Sequence, residues 1–152
     1  MRIEEAFLPF ASFDMVFSFS VLEHIDNLRD VLKEIFRILK PKGQFHISVD
    51  SLATIKDENL LSKHKHDHLV IQYFTEDSLR RQLEAVGFEV IDIYPILIGE
   101  FARKEFEKGI FYGKWSKNLL DQILLFQKFL REDKKLKGRE GLILIGRACR
   151  PV

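Results

Sequence analysis

The sequence has little cysteine, little excess charge and no long apolar run. Cys149 is the single cysteine among 152 residues, which excludes an internal disulfide and a cysteine-rich zinc site. The chain has 24 Lys and Arg residues and 23 Asp and Glu residues, so its net charge is +1. Such a small excess of positive charge argues against a nucleic-acid partner. No apolar run reaches the roughly 18 residues of a membrane span, and the acidic start MRIEEAF is not expected to act as a signal peptide. We therefore expect a cytoplasmic globular protein.

Short apolar runs alternate with amphipathic segments over the first two thirds of the chain. Residues 13–19 predict a strand buried on both faces, and residues 45–49 predict a second strand. Between them, residues 28–39 predict a helix, because apolar side chains recur there every three or four positions. A second helix begins after Thr75 and ends at Gly87, just before a third strand. Alternating strands and helices imply a mostly parallel α/β sheet with covered faces.

Residues 95–140 interrupt this alternation with many basic and aromatic side chains. A helix is predicted near residues 115–132, and residues 142–148 predict a last strand. Since no repeat or low-complexity linker separates these parts, we expect residues 1–152 to form a single domain. In this interpretation residues 95–140 are a helical insertion into that domain.

Three histidines, His64, His66 and His68, are spaced by two residues. On a strand they would share one face, which could hold a metal ion. The alternative is a hydrated loop in a polar stretch of the chain. We favour the loop and expect no metal site.

Four short motifs follow one another between Leu8 and Gly43. They are Leu-Pro-Phe at 8–10, Ser-Phe-Asp-Met-Val at 12–16, Val-Leu-Glu-His-Ile at 21–25 and Arg-Ile-Leu-Lys-Pro-Lys-Gly at 37–43. In this order the run resembles class I S-adenosylmethionine-dependent methyltransferases of the type 11 group. The segment at 68–88, with its Phe-Thr-Glu and Ala-Val-Gly-Phe motifs, is also similar to the family.

The resemblance implies an incomplete Rossmann-like methyltransferase sheet of about four strands, with the last one antiparallel and helices on the faces. It implies S-adenosylmethionine as cofactor and methyl transfer to an unidentified acceptor. The family's Gly-x-Gly-x-Gly turn is absent, because none of the eight glycines forms a Gly-x-Gly. The resemblance thus covers the C-terminal half of the fold, and residues 13–19 would form an open sheet edge.

Two functions are consistent with such a half. The first is methyl transfer as part of a longer or complemented enzyme, in which case the missing N-terminal half adds to the edge at 13–19. The alternative is a non-catalytic interaction module, truncated with respect to the family, whose exposed edge pairs with a partner or with a second copy. The first is our main expectation.

The resemblance also implies cofactor contacts at five positions. Glu4 would meet the adenine amino group, and His24 would lie at the lip of the cofactor pocket. The end of the first strand would contact the cofactor through Ser18, Phe19 and Ser20, since ligands bind at the carboxyl ends of parallel strands. The alternatives are a solvated glutamate, a packed strand end and a structural histidine.

Acceptor contacts are expected from His68, Tyr73 and Trp115. The resemblance makes the region of His68 and Tyr73 a lid or substrate wall, and Trp115 lies in the insertion at 95–140. That insertion would suit a small apolar or anionic acceptor, or its helix simply packs on the sheet with solvated lysines; a helix on a membrane surface is a third alternative. No catalytic base is identified.

Overall fold

The computed structural model describes residues 6–112, 119–136 and 138–152. The strands are β1 (Phe13–Phe19), β2 (Leu39–Asp50), β3 (Glu89–Ile96) and β4 (Ile143–Cys149). The helices are α1 (Leu28–Ile38), α2 (Glu58–His68), α3 (Glu76–Glu84), α4 (Glu100–Tyr112) and α5 (Leu119–Asp133), and a 3-10 turn spans Leu22–His24. No helix in the described ranges is long and apolar enough to cross a membrane.

The described strands form one four-stranded sheet in the order β1-β2-β4-β3. β1 runs parallel to β2, with Phe17 opposite His46, as expected for the first two strands of a mostly parallel sheet. β4 runs antiparallel to β2. The Lys42 N–H donates to the Arg150 carbonyl at 2.8 Å, while the Ser51 N–H donates to the Leu142 carbonyl at 2.9 Å. The α/β sheet with an antiparallel last strand therefore confirms the predicted fold class.

The core lies between the sheet and the apolar faces of α1 and α3. α3 begins with a capping box, in which Thr75 and Ser78 exchange side-chain-to-backbone hydrogen bonds. It is followed by Gly87, whose φ of +107° suits glycine. The buried cluster confirms the apolar stripe predicted for α1, and its members from α1, β2 and α3 include Leu28, Val31, Leu32, Ile35, Phe45, Ile47, Val49, Leu79 and Leu83.

Arg150 closes the carboxyl end of α1. Its guanidinium donates to the carbonyls of Phe36, Arg37 and Leu39 at 3.2, 3.2 and 2.7 Å. The same group lies over the rings of Phe10 and Phe36, at 4.8 and 5.0 Å from their centroids. One side chain thus donates to carbonyls at the end of the helix, where no further turn supplies N–H groups to them.

The chain divides into two compact units. The first comprises residues 1–50, 71–94 and 144–152, and it holds the core described above. The second comprises residues 51–70 and 95–143. The single domain expected for residues 1–152 stays a prediction.

In the second unit, one carboxylate and one pair of aromatic rings connect α5 to α4 and to the residues just before α4. The Asp133 carboxylate at the end of α5 accepts hydrogen bonds from the N–H groups of Leu97 and Ile98 at 2.6 and 2.9 Å. The rings of Phe101 on α4 and Phe129 on α5 lie 5.6 Å apart and connect these two helices.

The expectation that the first strand is buried on both faces is wrong. Its side chains Phe13, Met15, Phe17 and Phe19 are exposed, while Ser18 on the opposite face is buried. β1 is the terminal strand of the described sheet, so a neighbouring strand flanks it on one side only. The apolar run therefore predicted the strand correctly but did not predict how much of it is buried.

The interpretation of the histidine tract as a loop is also wrong. The tract forms the end of α2, which Asp57 caps by accepting from the N–H groups of Asn59 and Leu60. Leu69, with φ of +54°, ends it in a left-handed conformation. Residues 95–140 contain two helices, α4 and α5, where one was predicted.

Candidate functional site

The carboxyl ends of β1 and β2 meet at one edge of the sheet. Ser20 follows β1 with φ of +49°, and its N–H donates to both the carbonyl and the hydroxyl of Ser48, at 2.9 and 3.1 Å. Ser18 and Ser48 are both buried. Three hydroxyl groups therefore lie at the edge where ligands bind in open parallel sheets.

A short segment crosses this edge. The N–H groups of Ile71 and Gln72 donate to the Glu23 carbonyl at 2.9 and 3.2 Å, and the Phe74 N–H donates to the Asp50 carbonyl at 2.9 Å. These bonds hold residues 71–74 against the turn after β1 and the end of β2. They bring Tyr73 to the same edge as the serines.

Glu23 carries an uncompensated carboxyl group in this region. Its side chain is fully buried, and neither oxygen has a hydrogen-bond partner among the described residues. Burial raises the pKa of Glu23, and the nearby Asp50 charge raises it further. The backbone N–H groups of Glu23 and Asp50, which approach the carboxyl group without reaching hydrogen-bond geometry, lower this pKa, as does His24. A buried acid without partners is costly, and such groups concentrate at functional sites.

Tyr73 stays protonated under all ordinary conditions. Burial and, to a smaller extent, the charge of Asp50 raise the pKa of its phenol to about 12. Its hydroxyl is therefore able to donate a hydrogen bond to a ligand but is a poor proton acceptor at neutral pH. In chemical terms the edge offers hydroxyl donors together with the carboxyl groups of Glu23 and Asp50.

Five of the eight predicted site residues lie in the first unit at or next to this edge. Ser18, Ser20 and Tyr73 are brought together by the bonds described above. Phe19 lies on the exposed face of β1 with 62% of its surface accessible, and His24 is exposed at the end of the 3-10 turn. These placements are compatible with contacts to a ligand beside β1, which remain predictions.

The other three predicted residues are not brought to this edge by the described structure. His68 is exposed at the end of α2 in the second unit. Glu4 and Trp115 lie outside the described residues.

Sequence reasoning missed Glu23, Ser48 and Asp50. Glu23 stands between Leu22 and His24 in a motif that carries the resemblance, and the sequence alone does not distinguish it from a solvated glutamate. Asp50 directly follows the apolar run of the second strand, which is a recognisable position for a ligand-binding carboxylate. Burial of Glu23 could not be inferred, because it depends on residues 71–74 folding over the turn.

Comparison with known proteins identifies the family. A family model described as a methyltransferase domain matches residues 3–93. A probable S-adenosylmethionine-dependent methyltransferase of Mycolicibacterium smegmatis is 32% identical over 101 residues, covering 64% of this chain and 37% of that protein.

Solved structures share the fold at low identity. Phosphoethanolamine N-methyltransferase 2 of Haemonchus contortus, in complex with S-adenosylmethionine, is 20% identical with a TM-score of 0.61, covering 95% of this chain and 35% of that one. The cyclase SpnF is 16% identical with a TM-score of 0.63, covering 100% of this chain and 54% of that one. The chain thus spans about a third to a half of the length of these relatives. It belongs to the methyltransferase domain family, with the class I fold of S-adenosylmethionine-dependent methyltransferases.

Proposed function

We propose that this chain forms the C-terminal half of an S-adenosylmethionine-dependent methyltransferase site, completed by a further polypeptide segment that adds a strand beside β1. The segment can belong to the same protein or to another one. The observation that carries the proposal is the terminal position of β1 together with the exposure of its aromatic side chains. The proposal accounts for the family match and for the absent Gly-x-Gly turn together.

The backbone of β1 provides the first argument. A terminal strand presents its outer row of N–H and C=O groups, which can template another strand. β1 is parallel to β2, so the incoming strand would continue a parallel sheet. Such a strand would end beside Ser18 and Ser20, where a glycine-rich turn could approach a bound cofactor closely.

The exposed face of β1 provides the second argument. Met15, Phe17 and Phe19 are 50%, 56% and 62% exposed, although all three are large and apolar. Full burial of such a side chain is worth about 1.5–3 kcal/mol. A segment with an apolar helix after its strand would cover them, as helices cover both faces of other mostly parallel sheets.

The residues at the carboxyl edge fit the cofactor's chemistry. S-adenosylmethionine carries a sulfonium and an ammonium group, and when bound it supplies an electrophilic methyl group. Carboxyl groups at Glu23 and Asp50, with the hydroxyls of Ser18 and Ser20, suit a cationic ligand with hydrogen-bonding groups. Their task would be to bind and orient, since in-line methyl displacement depends mainly on alignment and exclusion of water.

The remaining roles are part of the same proposal. Glu4, Phe19 and His24 would line the cofactor, while His68, Tyr73 and Trp115 would face a small-molecule acceptor. We place the reaction in the cytoplasm. Glu23 is the one buried carboxyl group described at this edge that could take a proton from an acceptor, because its pKa is raised.

A non-catalytic interaction module is the second candidate. The cyclase SpnF has this fold and carries a different activity in its name, so the fold alone does not establish methyl transfer. The same exposed edge would then serve only to pair with a partner or a second copy. The two candidates differ in whether completion of the sheet creates cofactor binding.

Light scattering after size exclusion tests the exposed edge directly. We expect the chain to self-associate as concentration rises, and Phe17→Lys to weaken this association by placing a charge on the apolar face. Ile91→Lys is the matched control, since Ile91 is 49% exposed on β3, the other terminal strand. A wild-type chain that stays monomeric at every concentration would count against the interaction module that pairs with a second copy, and equal effects of the two variants would contradict the role assigned to the face of β1.

A further inference from the structure

Helix α5 exposes apolar side chains along much of its length. Ile123, Leu124, Phe126 and Leu130 are 46%, 60%, 53% and 42% exposed, and Leu136, just beyond the helix, is 45% exposed. Ile123, Phe126 and Leu130 recur every three or four positions and therefore share one face of the helix. The second compact unit thus carries an apolar face that its described residues leave about half exposed.

A different side of α5 holds the helix in its unit. The Phe129 ring lies 5.6 Å from the Phe101 ring on α4, and the Glu132 carboxylate accepts a hydrogen bond from the Phe101 N–H at 3.3 Å. The Asp133 carboxylate accepts from two N–H groups just before α4. Phe129, Glu132 and Asp133 are three or four positions apart and form one side of the helix. These contacts fix the rotation of α5 about its axis, so the fold of the unit determines which face is exposed.

The charges in and just after α5 are also segregated. Two of the three acidic residues of α5, Glu132 and Asp133, accept the hydrogen bonds from α4 and its preceding residues. Arg131, Lys134 and Lys135 are exposed, and none of them forms an ion pair with a carboxylate of the described residues. Positive charge without a described counter-ion therefore borders the apolar face at the carboxyl end of α5.

The lysines of α4 are arranged differently. Lys104 pairs with Glu100 at 2.8 Å, and Lys108 pairs with Glu105 at 2.6 Å. Both lysines are exposed, so they differ from those after α5 in having a carboxylate about one helical turn away. The basic groups after α5 are available to a negatively charged partner, and the paired lysines of α4 provide an internal comparison.

We propose that α5 lies on the surface of an anionic lipid membrane, with its exposed apolar side chains at the boundary between headgroups and acyl chains. An apolar face bordered by lysine and arginine is typical of helices in this interface, where the basic groups meet anionic lipids. The long stems of these residues can follow the apolar surface while the charge reaches the headgroups. α5 has 15 residues, fewer than the roughly 20 that span a bilayer, so it lies along the surface. This attachment is independent of methyl transfer and of the strand that would complete the sheet beside β1.

Flotation of vesicles in a density gradient tests this surface, because protein that associates only with itself does not float. We expect the full chain to float with vesicles of phosphatidylcholine and phosphatidylglycerol, to stay behind with phosphatidylcholine alone, and to be released as salt rises. Ile123→Ser should lower the partition into anionic vesicles at least about threefold, because it removes a half-exposed apolar side chain from the inserted face. Ile91→Ser is the matched control, since Ile91 is 49% exposed on β3, and it should leave the partition unchanged.

Two double variants test the basic residues. Lys134→Gln combined with Lys135→Gln should weaken the partition about twentyfold, since each basic residue near an anionic surface contributes roughly fivefold. Lys104→Gln combined with Lys108→Gln removes the same net charge from the paired lysines of α4 and should weaken it far less. Far-ultraviolet circular dichroism verifies that each variant keeps the fold.

Four results would overturn the proposal. They are no flotation of the wild type with anionic vesicles, equal flotation with and without phosphatidylglycerol, equal losses in Ile123→Ser and Ile91→Ser, and equal losses in the two lysine double variants. If the wild type does not float and Ile123→Ser dissociates a dimer in light scattering without lipid, the face belongs to a contact with a second copy of the chain.

Discussion

The ring of Phe17 on β1 stacks on the imidazole of His46 on β2, with centroids 5.1 Å apart and planes inclined by 23°. The two residues are opposite each other in the parallel register. Phe17 nevertheless remains 56% exposed, since His46 covers only one side of it. The contact thus holds a large, half-exposed aromatic ring in place on the terminal strand of the described sheet.

Amide hydrogen exchange should therefore separate β1 from β2. We expect the amides of β1 to exchange faster than those of the inner strand, where Phe45, Ile47 and Val49 are buried, because terminal strands open locally at lower free energy. Exchange followed by mass spectrometry measures both strands in one sample. Equal protection of β1 and β2 in the monomeric chain would show that β1 is not an open edge.

The buried carboxyl of Glu23 should make stability depend on pH. Its pKa is raised in the folded chain, so the folded state holds the proton over a pH range in which the unfolded state, with a pKa near 4.3, has lost it. Stability from this group is full below the unfolded pKa and is lost as pH rises through the folded pKa. Glu23→Gln should remove that loss and flatten the profile.

Urea unfolding at several pH values between 4 and 8 measures the Glu23 effect. Asp26→Asn, which removes an exposed carboxyl of the same compact unit, is the control and should leave the slope unchanged. The account of Glu23 fails if Glu23→Gln and the wild type lose stability in parallel.

Arg150 should contribute far more to stability than Arg147. Arg150→Ala removes a donor from the carbonyls of Phe36, Arg37 and Leu39, of which Arg37 keeps the Ala11 N–H, and it removes the contact with two phenylalanine rings. We therefore expect a loss of about 2–3 kcal/mol. Arg147→Ala breaks an exposed ion pair with Asp92, which solvent screens, and should therefore cost much less. Comparable losses in urea unfolding would contradict this ranking.

Lys42 occupies a backbone position that favours glycine. Its φ is +66°, and its N–H donates to the Arg150 carbonyl at 2.8 Å. A left-handed conformation costs a side-chain-bearing residue about 1–2 kcal/mol, while glycine pays about 0.5–1 kcal/mol in chain entropy. Lys42→Gly should therefore raise the free energy of unfolding by about 0.5 kcal/mol. A lower midpoint in urea would show that the side chain contributes more than the strain costs.

The fold was predictable where local pattern and tertiary burial agree. The apolar stripe of α1 identified that helix correctly, and its members are Leu28, Val31, Leu32 and Ile35. The cap residue Thr75 identified the start of α3. α2 was missed because a histidine- and lysine-rich segment has almost no apolar periodicity, although its cap Asp57 and the left-handed Leu69 define its ends.

The candidate site was predictable where it follows from strand ends. Ser18 and Ser20 could be placed because ligands bind at the carboxyl ends of parallel strands. Glu23 could not, since its buried environment is created by residues 71–74, which are far from it in sequence and are held there by two hydrogen bonds to its carbonyl. Long-range backbone contacts of this kind leave no local pattern.

Calorimetric titration with S-adenosylmethionine tests the central claim most directly. The full chain alone should show no saturable binding. Binding should appear when the chain is fused behind the part of the Mycolicibacterium smegmatis relative that precedes the matched region, provided that this part carries a glycine-rich turn. Tight one-to-one binding by the chain alone would contradict the account, and so would a folded fusion protein that still fails to bind.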